Sequence, residues 1–348
     1  MGYTIKKNHL TCQSKKDLMK YNSVSHAIGN TPLVEILTDA PARIYAKLEF
    51  LSPGGSIKDR SALYMIEDAE KCGLLQAGGT IIEASSGNQG ASIAMIGAAK
   101  GYTVIITVPE KISAEKLATL KAYGAHVIIC PATDSLAHPE SYHAKAQKIH
   151  TNTPNSFMPN QYFNTKNAEA HYHSLGPEVW QQTKGHFTHF FAAAGTCGHV
   201  SGAGKYFKEQ NSTIKVIALD AATSWRSTNG QPKPYQLEGI GIDFASPNFN
   251  SQAVDEIIPI TDADALHALQ YLAQHHGLLV GPSSGAVFHG AYEYAKKLSP
   301  DNTLILIFGD SGRAYLSKGF YTTEKTTHVK QENITTLSKG ALNGDYPY

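Results

Sequence analysis

A lysine that follows a turn-forming run is the first candidate for chemistry. Residues 52–60 read SPGGSIKDR, and an amphipathic helical pattern begins at the end of this run, next to Lys58. The positive end of a helix dipole favours a neutral amine, which is the form that attacks an aldehyde. A lone lysine at a helix start is more often a surface residue. The case for a catalytic role of Lys58 therefore depends on the other loops of the chain.

A second loop is rich in hydrogen-bond donors. Residues 83–90 read EASSGNQG, after an apolar strand pattern and before an apolar helix predicted over residues 91–99. Hydroxyl groups, side-chain amides and backbone N–H groups at a helix start suit an anion such as a substrate carboxylate. The alternative is an ordinary helix cap, but the run contains more donors than a cap requires.

A third loop contains glycines that allow close approach of the backbone to a phosphate. Residues 194–202 read AGTCGHVSG, again between an apolar strand and a helix. Taken alone, this loop also fits an NAD-dependent dehydrogenase, because an acidic residue, Asp220, lies about twenty positions further on, as in dinucleotide-binding folds. Two further runs, GPSSG at 281–285 and LEGIG at 237–241, indicate loops and little more by themselves.

The elements around these loops predict an α/β fold. Short apolar, β-branched runs are typical of buried strands, and they occur at residues 44–48, 80–83, 104–108, 127–130, 190–194, 216–219 and 304–308. Amphipathic stretches with helical spacing lie between them, which indicates crossover units and a mostly parallel sheet. Ligands in such folds bind beyond the carboxyl ends of the strands, where all of these loops lie. Residues 131–165, rich in Pro, Asn, Thr and Ser, break the alternation and indicate a crossing between two sheet units.

Composition narrows the class of partner. The chain has 348 residues with 30 basic and 29 acidic side chains, so no broad field of one sign favours nucleic acid or an anionic membrane. Four scattered cysteines without a CxxC pair fit a reducing cytoplasm, and we expect neither an export signal nor a membrane anchor. We expect no metal site, because the histidine pairs at 171/173 and 275/276 lack further ligands and fit solvated or helix-end positions better.

In their order, these motifs resemble those of the fold type II pyridoxal-phosphate enzymes, the family of cysteine synthase and cystathionine β-synthase. The resemblance covers roughly residues 22–316, from GNTPL at 29–33 to GDSGRAYL at 309–316. It implies two parallel-sheet α/β domains of the tryptophan synthase β-like type. A smaller mobile domain would comprise residues 50–158 and a larger cofactor domain residues 1–49 and 159–325, followed by a polar tail at 326–348.

The resemblance also implies roles for individual residues. Lys58 matches the lysine that forms a Schiff base with pyridoxal 5'-phosphate, Asn88 the asparagine that contacts its phenolic oxygen, and Ser283 the serine that faces its pyridine nitrogen. The phosphate loop corresponds to Gly195, Thr196, Cys197, Gly198 and His199. The substrate-binding residues correspond to Ser85, Ser86, Gln89, Gly239 and either Asn160 or Gln161. The phosphate loop differs from the family's pattern at Cys197, whose β-carbon would crowd the loop unless its φ is negative, and at His199.

The implied reaction is β-replacement on L-serine or an O-activated L-serine by a thiol, so that the partners are two small molecules. Stretches at 53–56, 65–70, 238–241 with 243–244, and 310–311 favour a cystathionine β-synthase, as a short form without the haem-binding and regulatory segments. Cysteine synthase is the alternative. Outside these activities, the alternatives are an NAD-dependent dehydrogenase and a catalytically silent family member with a binding or regulatory role. The family further implies a cytoplasmic homodimer.

Overall fold

Helices and strands alternate through the part of the chain that this computed structural model describes, residues 21–85, 87–133 and 138–322. The strands are β1 (Leu33–Ile36), β2 (Arg43–Leu48), β3 (Thr80–Ala84), β4 (Thr103–Pro109), β5 (His126–Cys130), β6 (Ser156–Phe157), β7 (His189–Ala193), β8 (Lys215–Ala221), β9 (Glu256–Ile260) and β10 (Thr303–Phe308). The helices are α1 (Lys58–Lys71), α2 (Asn88–Lys100), α3 (Ala114–Ala122), α4 (Tyr142–Thr151), α5 (Lys166–His173), α6 (Leu175–Thr183), α7 (Gly198–Gln210), α8 (Asp262–His276) and α9 (Pro282–Ala295). Short 3₁₀ helices occur at Val24–Ala27, Glu49–Leu51 and Gly312–Lys318.

The strands form two sheets. Six strands lie in the order β1-β2-β10-β7-β8-β9, and four lie in the order β5-β4-β3-β6. Every pair is parallel except β1 with β2, which is antiparallel. The predicted class, α/β with two parallel sheets, is confirmed. All seven predicted strands are present, and the prediction missed β1, β6 and β9.

Helices cover both faces of the larger sheet because successive strand residues point to opposite sides. In β7, Phe190 packs in a cluster with residues of α6 and α7, whereas Phe191 packs in another cluster with residues of α8 and α9. Both phenylalanines are fully buried. This two-sided burial explains why the strands of the larger sheet read as uninterrupted apolar runs.

The prediction for residues 131–165 was wrong in part. The segment contains α4, which begins at the N-cap Ser141, and β6, which still pairs with β3 in the smaller sheet. The crossing to the larger sheet therefore starts after Phe157. The domain bounds at 50–158 and 159–325 stay a prediction, and the tail at 326–348 lies outside the described residues. Among the described helices, none is long and apolar enough to cross a membrane.

Candidate active site

Lys58 is the first residue of α1, as the sequence predicts, and it lies beside the glycine-rich loop that follows β7. Its Nζ donates to Thr196 Oγ1 at 3.4 Å. Burial lowers the pKa of the Lys58 amine to about 8, although the nearby Cys197 and Asp310 side chains oppose this shift. An amine with this pKa is partly neutral near pH 7 to 8. The site therefore provides the neutral, nucleophilic form of lysine that attacks an aldehyde.

Buried carboxylates hold the start of α1 in place. Asp59 accepts the backbone N–H of Gly54 at 2.7 Å and the hydroxyl of Ser92 at 2.5 Å. Arg60 donates to Glu49 through Nε at 2.7 Å and Nη2 at 2.9 Å. The backbone of the loop before Lys58 is thus held by side chains from the first turn of α1.

The GNTPL motif contributes to the same support. Thr31 donates its hydroxyl to Glu49 at 2.6 Å, and its backbone N–H donates to Glu178 at 2.9 Å. Arg60 forms an ion pair with Glu178 at 2.9 Å, and Lys47 pairs with the same carboxylate. This motif therefore organises a buried ion cluster behind α1.

The predicted phosphate loop surrounds the N-terminus of α7, which begins at Gly198. Asn167 of α5 reaches into this loop and donates Nδ2 to Thr196 Oγ1 at 3.0 Å and to the Gln161 carbonyl at 2.9 Å. A β-carbon at Gly198 would lie 2.1 Å from Asn167 Oδ1, so glycine is required there. His199 is buried and its Nδ1 has no partner among the described residues. Burial lowers the pKa of His199 to about 3, so its ring is neutral and carries one N–H donor.

Cys197 does not have the negative φ that we expected its β-carbon to require. Its φ is +64°, in the left-handed region that favours glycine, rather than negative. The side chain is fully buried, and Sγ donates to the Gly195 carbonyl at 3.3 Å. Burial raises the pKa of the thiol to about 11. The thiol is therefore protonated and inaccessible, which suits a tolerated small residue and not a reactive one.

The loop after β3 is shorter than predicted, because α2 begins at Asn88 and not at residue 91. Ser85 Oγ accepts the backbone N–H groups of Gly87 at 3.2 Å and Gly90 at 2.9 Å, so this hydroxyl caps the helix start. Gln89 is buried and accepts the hydroxyl of Ser61 at 3.2 Å, while its Nε2 has no partner among the described residues. Ser86 lies outside the described residues.

Asn160 and Gln161 lie close to the Ser85 loop because a buried carboxylate holds them. Glu83, in β3, accepts the backbone N–H of Asn160 at 2.7 Å and that of Gln161 at 3.1 Å. Burial raises the pKa of Glu83 to about 7, against the effect of these two hydrogen bonds. The Gln161 carbonyl also accepts from Asn248 Nδ2 at 3.1 Å.

The remaining predicted residues meet at the ends of β7 and β10. A β-carbon at Gly195 would lie 3.0 Å from the Gly239 carbonyl, and one at Gly239, whose φ is +80°, would lie 3.2 Å from Ser283 Oγ. Asn88 donates Nδ2 to Asp310 Oδ2 at 2.6 Å. The fold thus brings the described candidates from all five motifs to one edge between the two sheets.

Sequence reasoning missed Glu83, Asn167 and Asp310 as members of this site. Glu83 was included only as the first residue of a loop, and Asp310 only as part of a family signature. Asn167 belongs to an ordinary helical stretch, so the sequence contains no signal for it. Their hydrogen bonds reach partners 77, 29 and 222 positions away, which local patterns do not reveal.

Asp220 and His171, two residues that the sequence analysis singled out outside the five motifs, are both fully buried. Asp220, the acid that the dehydrogenase alternative requires, is fully buried and accepts hydroxyls from Ser224 at 2.5 Å and Ser227 at 2.9 Å, so it does not face a ligand. His171 lies in the last turn of α5, as expected for a helix-end residue, but it is fully buried and not solvated. Among the described residues, no group of three or more His, Cys, Asp or Glu side chains could hold a metal ion.

Comparisons with known proteins agree with this geometry. Residues 24–310 match the family model described as "Pyridoxal-phosphate dependent enzyme". A cystathionine beta-synthase of Apis mellifera is 41% identical over 320 residues, covering 88% of this chain and 63% of that protein. A probable cysteine synthase of Bacillus subtilis (strain 168) is 40% identical over 296 residues, covering 83% of this chain and 94% of that protein.

Among solved structures, the O-acetylserine dependent cystathionine beta-synthase from Helicobacter pylori is similar, with a TM-score of 0.82 and 35% identity. The match covers 88% of this chain and 100% of that one. The chain described here therefore spans less than two thirds of the bee protein but nearly the whole of these two bacterial proteins.

Proposed function

Because this chain belongs to the pyridoxal-phosphate dependent enzyme family, we propose that it catalyses β-replacement on L-serine or an O-activated L-serine by a thiol. The resemblance to fold type II enzymes stated above is confirmed by the family match and by the relatives. The observation that carries the proposal is the contact of Lys58 Nζ with Thr196 of the phosphate loop, together with the lowered pKa of that amine.

The residues present fit pyridoxal phosphate. The N-terminus of α7 offers backbone N–H groups to a phosphate, and the neutral ring of His199 adds a donor. Gly195 and Gly239 lie so close together that a side chain on Gly195 would strike the neighbouring backbone. Lys58 would hold the aldehyde, Asn88 the phenolic oxygen and Ser283 the pyridine nitrogen.

When bound, pyridoxal phosphate supplies an aldehyde that a lysine holds covalently and a ring that draws electrons from the α-carbon of an amino acid, so that a β-substituent leaves. Lys58 Nζ, once released, removes the α-proton as a general base, for which a pKa of about 8 is suitable. Ser283 would offer a neutral hydroxyl rather than a carboxylate to the ring nitrogen, which would favour prompt loss of the leaving group.

Substrate binding is assigned to the loops on the α2 side of the site. The start of α2 and the 160–161 loop provide N–H and amide donors for a carboxylate, with Ser85, Ser86, Gln89, Asn160, Gln161 and Gly239 as the proposed residues. Glu83 holds the 160–161 loop. The substrate α-carboxylate would thus be oriented between the two sheets.

The proposed substrates are serine or O-acetylserine as donor and homocysteine as thiol. The names of the bee and Helicobacter pylori relatives support this assignment, and the latter name specifies dependence on O-acetylserine. Synthesis of cysteine from O-acetylserine and sulfide is the second candidate, supported by the name of the Bacillus subtilis relative. The family further suggests a homodimer in the cytoplasm, and light scattering of the purified protein would test the dimer.

The experiment that tests the function follows the visible absorption of protein supplied with pyridoxal phosphate. L-serine and O-acetyl-L-serine are added separately, then homocysteine or sulfide, and products are identified by mass spectrometry. We expect one donor to change the band and one thiol to restore it, with cystathionine as product. Cysteine as the only product would favour the second candidate. A band that no amino acid changes would indicate a silent family member, and the absence of any band would contradict the proposal.

A further inference from the structure

Asp310 connects the two sheets at the candidate site. It follows β10 and is buried, and its Oδ2 accepts the Asn88 side-chain amide at 2.6 Å and the Tyr315 hydroxyl at 2.5 Å. Asn88 begins α2, which packs on the smaller sheet, whereas β10 lies inside the larger one. The carboxylate thus fixes the first residue of a helix that packs on the other sheet.

A carboxylate determines which end of an amide faces it. An ionised Asp side chain only accepts hydrogen bonds, while an Asn side chain has a donor end and an acceptor end. Asp310 therefore selects the orientation in which the Asn88 NH₂ group points into the site. One N–H goes to Asp310, which leaves the second N–H of the same planar group for a ligand oxygen.

The neighbours of Asp310 hold it in place, and the two hydrogen bonds to Oδ2 make that oxygen an acceptor, although the net effect of the surroundings raises the pKa of Asp310. A β-carbon at Gly281 would lie 2.0 Å from Asp310 Oδ1, so the carboxylate packs directly against that glycine. Burial raises the pKa of Asp310, and the charge of Glu238 adds to this effect, while Lys116 and the hydrogen bonds from Tyr315 and Asn88 oppose it. The charge of Lys58 also lies within electrostatic reach of Asp310.

We propose that Asp310 is a positioning residue of the reaction, which orients Asn88 so that an N–H, and not the amide carbonyl, meets the phenolic oxygen of pyridoxal phosphate. This inference rests on the proposed function. With the amide reversed, its carbonyl oxygen would face the phenolic oxygen, and the stabilising hydrogen bond would become a repulsion. Asp310 would act through Asn88 without touching the cofactor.

The test compares wild type with Asn88→Ala, Asp310→Leu and Tyr315→Phe. Each protein is titrated with pyridoxal phosphate, and the position and pH dependence of its visible band are recorded. Leucine has a similar shape but no acceptor for the Asn88 amide, so we expect Asp310→Leu to reproduce the band shift of Asn88→Ala and to bind the cofactor about tenfold more weakly than wild type. Tyr315→Phe removes the other donor to the same oxygen but keeps the acceptor for Asn88, so its band should lie closer to the wild-type band than that of Asp310→Leu.

A double variant separates orientation from general damage. If Asp310 acts only through Asn88, then Asn88→Ala with Asp310→Leu should show the same spectrum as Asn88→Ala alone. A wild-type band in Asp310→Leu, or additive shifts in the double variant, would overturn the inference. If circular dichroism shows that Asp310→Leu does not fold, Asp310→Ala, which is smaller, is judged by the same criteria. A wild type without any cofactor band would instead contradict the proposed function.

Discussion

Glu83 Oε2 accepts the backbone N–H of Asn160 at 2.7 Å, although 77 positions separate the two residues. The second oxygen, Oε1, accepts the N–H of Gln161. A single buried carboxylate in β3 therefore attaches the loop assigned to the substrate carboxylate. Protonation of Glu83 would turn one of these two acceptors into a donor, so the hold on this loop depends on the charge state of Glu83.

We predict that Glu83 makes the stability of the protein depend on pH. Burial raises its pKa from 4.5 to about 7. The folded state therefore binds more protons between these values, so the free energy of unfolding decreases as pH rises from about 4.5 through 7, by up to about 3 kcal/mol. Urea unfolding at pH 5 and pH 8 measures this difference.

Glu83→Gln should reduce that pH dependence, because glutamine does not titrate, while Asp59, whose pKa burial raises to about 6, keeps its own contribution. It should also leave one of the two N–H groups facing an amide donor, which costs roughly 1–3 kcal/mol and raises the KM for the donor amino acid. The exposed Glu209→Gln is the control and should keep the wild-type slope. Equal slopes in wild type and Glu83→Gln would show that Glu83 does not titrate in this range.

Lys58 should be essential for activity, and the titration of its amine should appear in the pH dependence of its reaction with pyridoxal phosphate. Lys58→Ala should lower the turnover number by at least about 10³-fold, the order expected for loss of a general base. Lys58→Arg should not rescue it, because arginine stays charged. In wild type, the rate of reaction with added pyridoxal phosphate should rise with pH and level off above about 8, where the amine is neutral.

Lys121→Ala, an exposed change on α3, serves as the control for both measurements. It should keep the wild-type turnover number and the same pH profile. A Lys58→Ala protein with unchanged activity would disprove the assigned role of this amine.

Cys197 should tolerate glycine better than valine. Its φ of +64° costs on the order of 1 kcal/mol or more for a residue with a side chain, and glycine relieves this cost. The buried thiol loses packing of similar size in Cys197→Gly, so we expect a free energy of unfolding within about 1 kcal/mol of wild type. Cys197→Val should lose more than about 2 kcal/mol, because a β-branched residue is strongly disfavoured at positive φ.

Cys130→Val is the matched control for this comparison. Cys130 is also buried, but it ends β5, where valine fits the strand conformation. We expect it to cost less than Cys197→Val in urea unfolding. Equal losses at the two positions would mean that burial, and not the backbone at Cys197, sets the cost.

The strands and loops of this fold could be predicted from sequence because buried parallel strands produce uninterrupted apolar runs. The prediction missed the strands that do not form long, fully buried apolar runs. β1 and β9 lie at the edges of the larger sheet, β1 has two exposed residues, and β9 contains Pro259. β6 has only two residues, which is too short for any pattern.

The candidate site could be predicted as a set of loops but not as a hydrogen-bonded network. Lys58 and Gly195 stand out because turn residues precede a helix or follow a strand. Glu83 and Asp310 act through partners in distant parts of the chain, and nothing local distinguishes them from structural carboxylates. The positive φ of Cys197 was equally hidden, because cysteine has no preference for that conformation.

Asn167 should contribute more to binding of the cofactor's phosphate group than to binding of its ring. Its Nδ2 donates to Thr196 Oγ1 at 3.0 Å, and its Oδ1 lies against Gly198 at the start of α7. Asn167→Asp has the same shape but replaces the donor with a negative charge beside the proposed phosphate loop. We expect pyridoxal phosphate to bind at least about tenfold more weakly, since loss of a hydrogen bond and the added repulsion each cost on the order of 1 kcal/mol.

Pyridoxal without phosphate distinguishes this effect from general damage to the site. Its affinity should be nearly the same in wild type and Asn167→Asp, because the altered charge has no phosphate to repel. The salt dependence should differ as well, since screening weakens the repulsion and moves the affinity of the variant for pyridoxal phosphate toward the wild-type value. If both ligands lost affinity equally, Asn167 would act by holding the Gln161 carbonyl, to which it also donates, and not by shaping the phosphate loop.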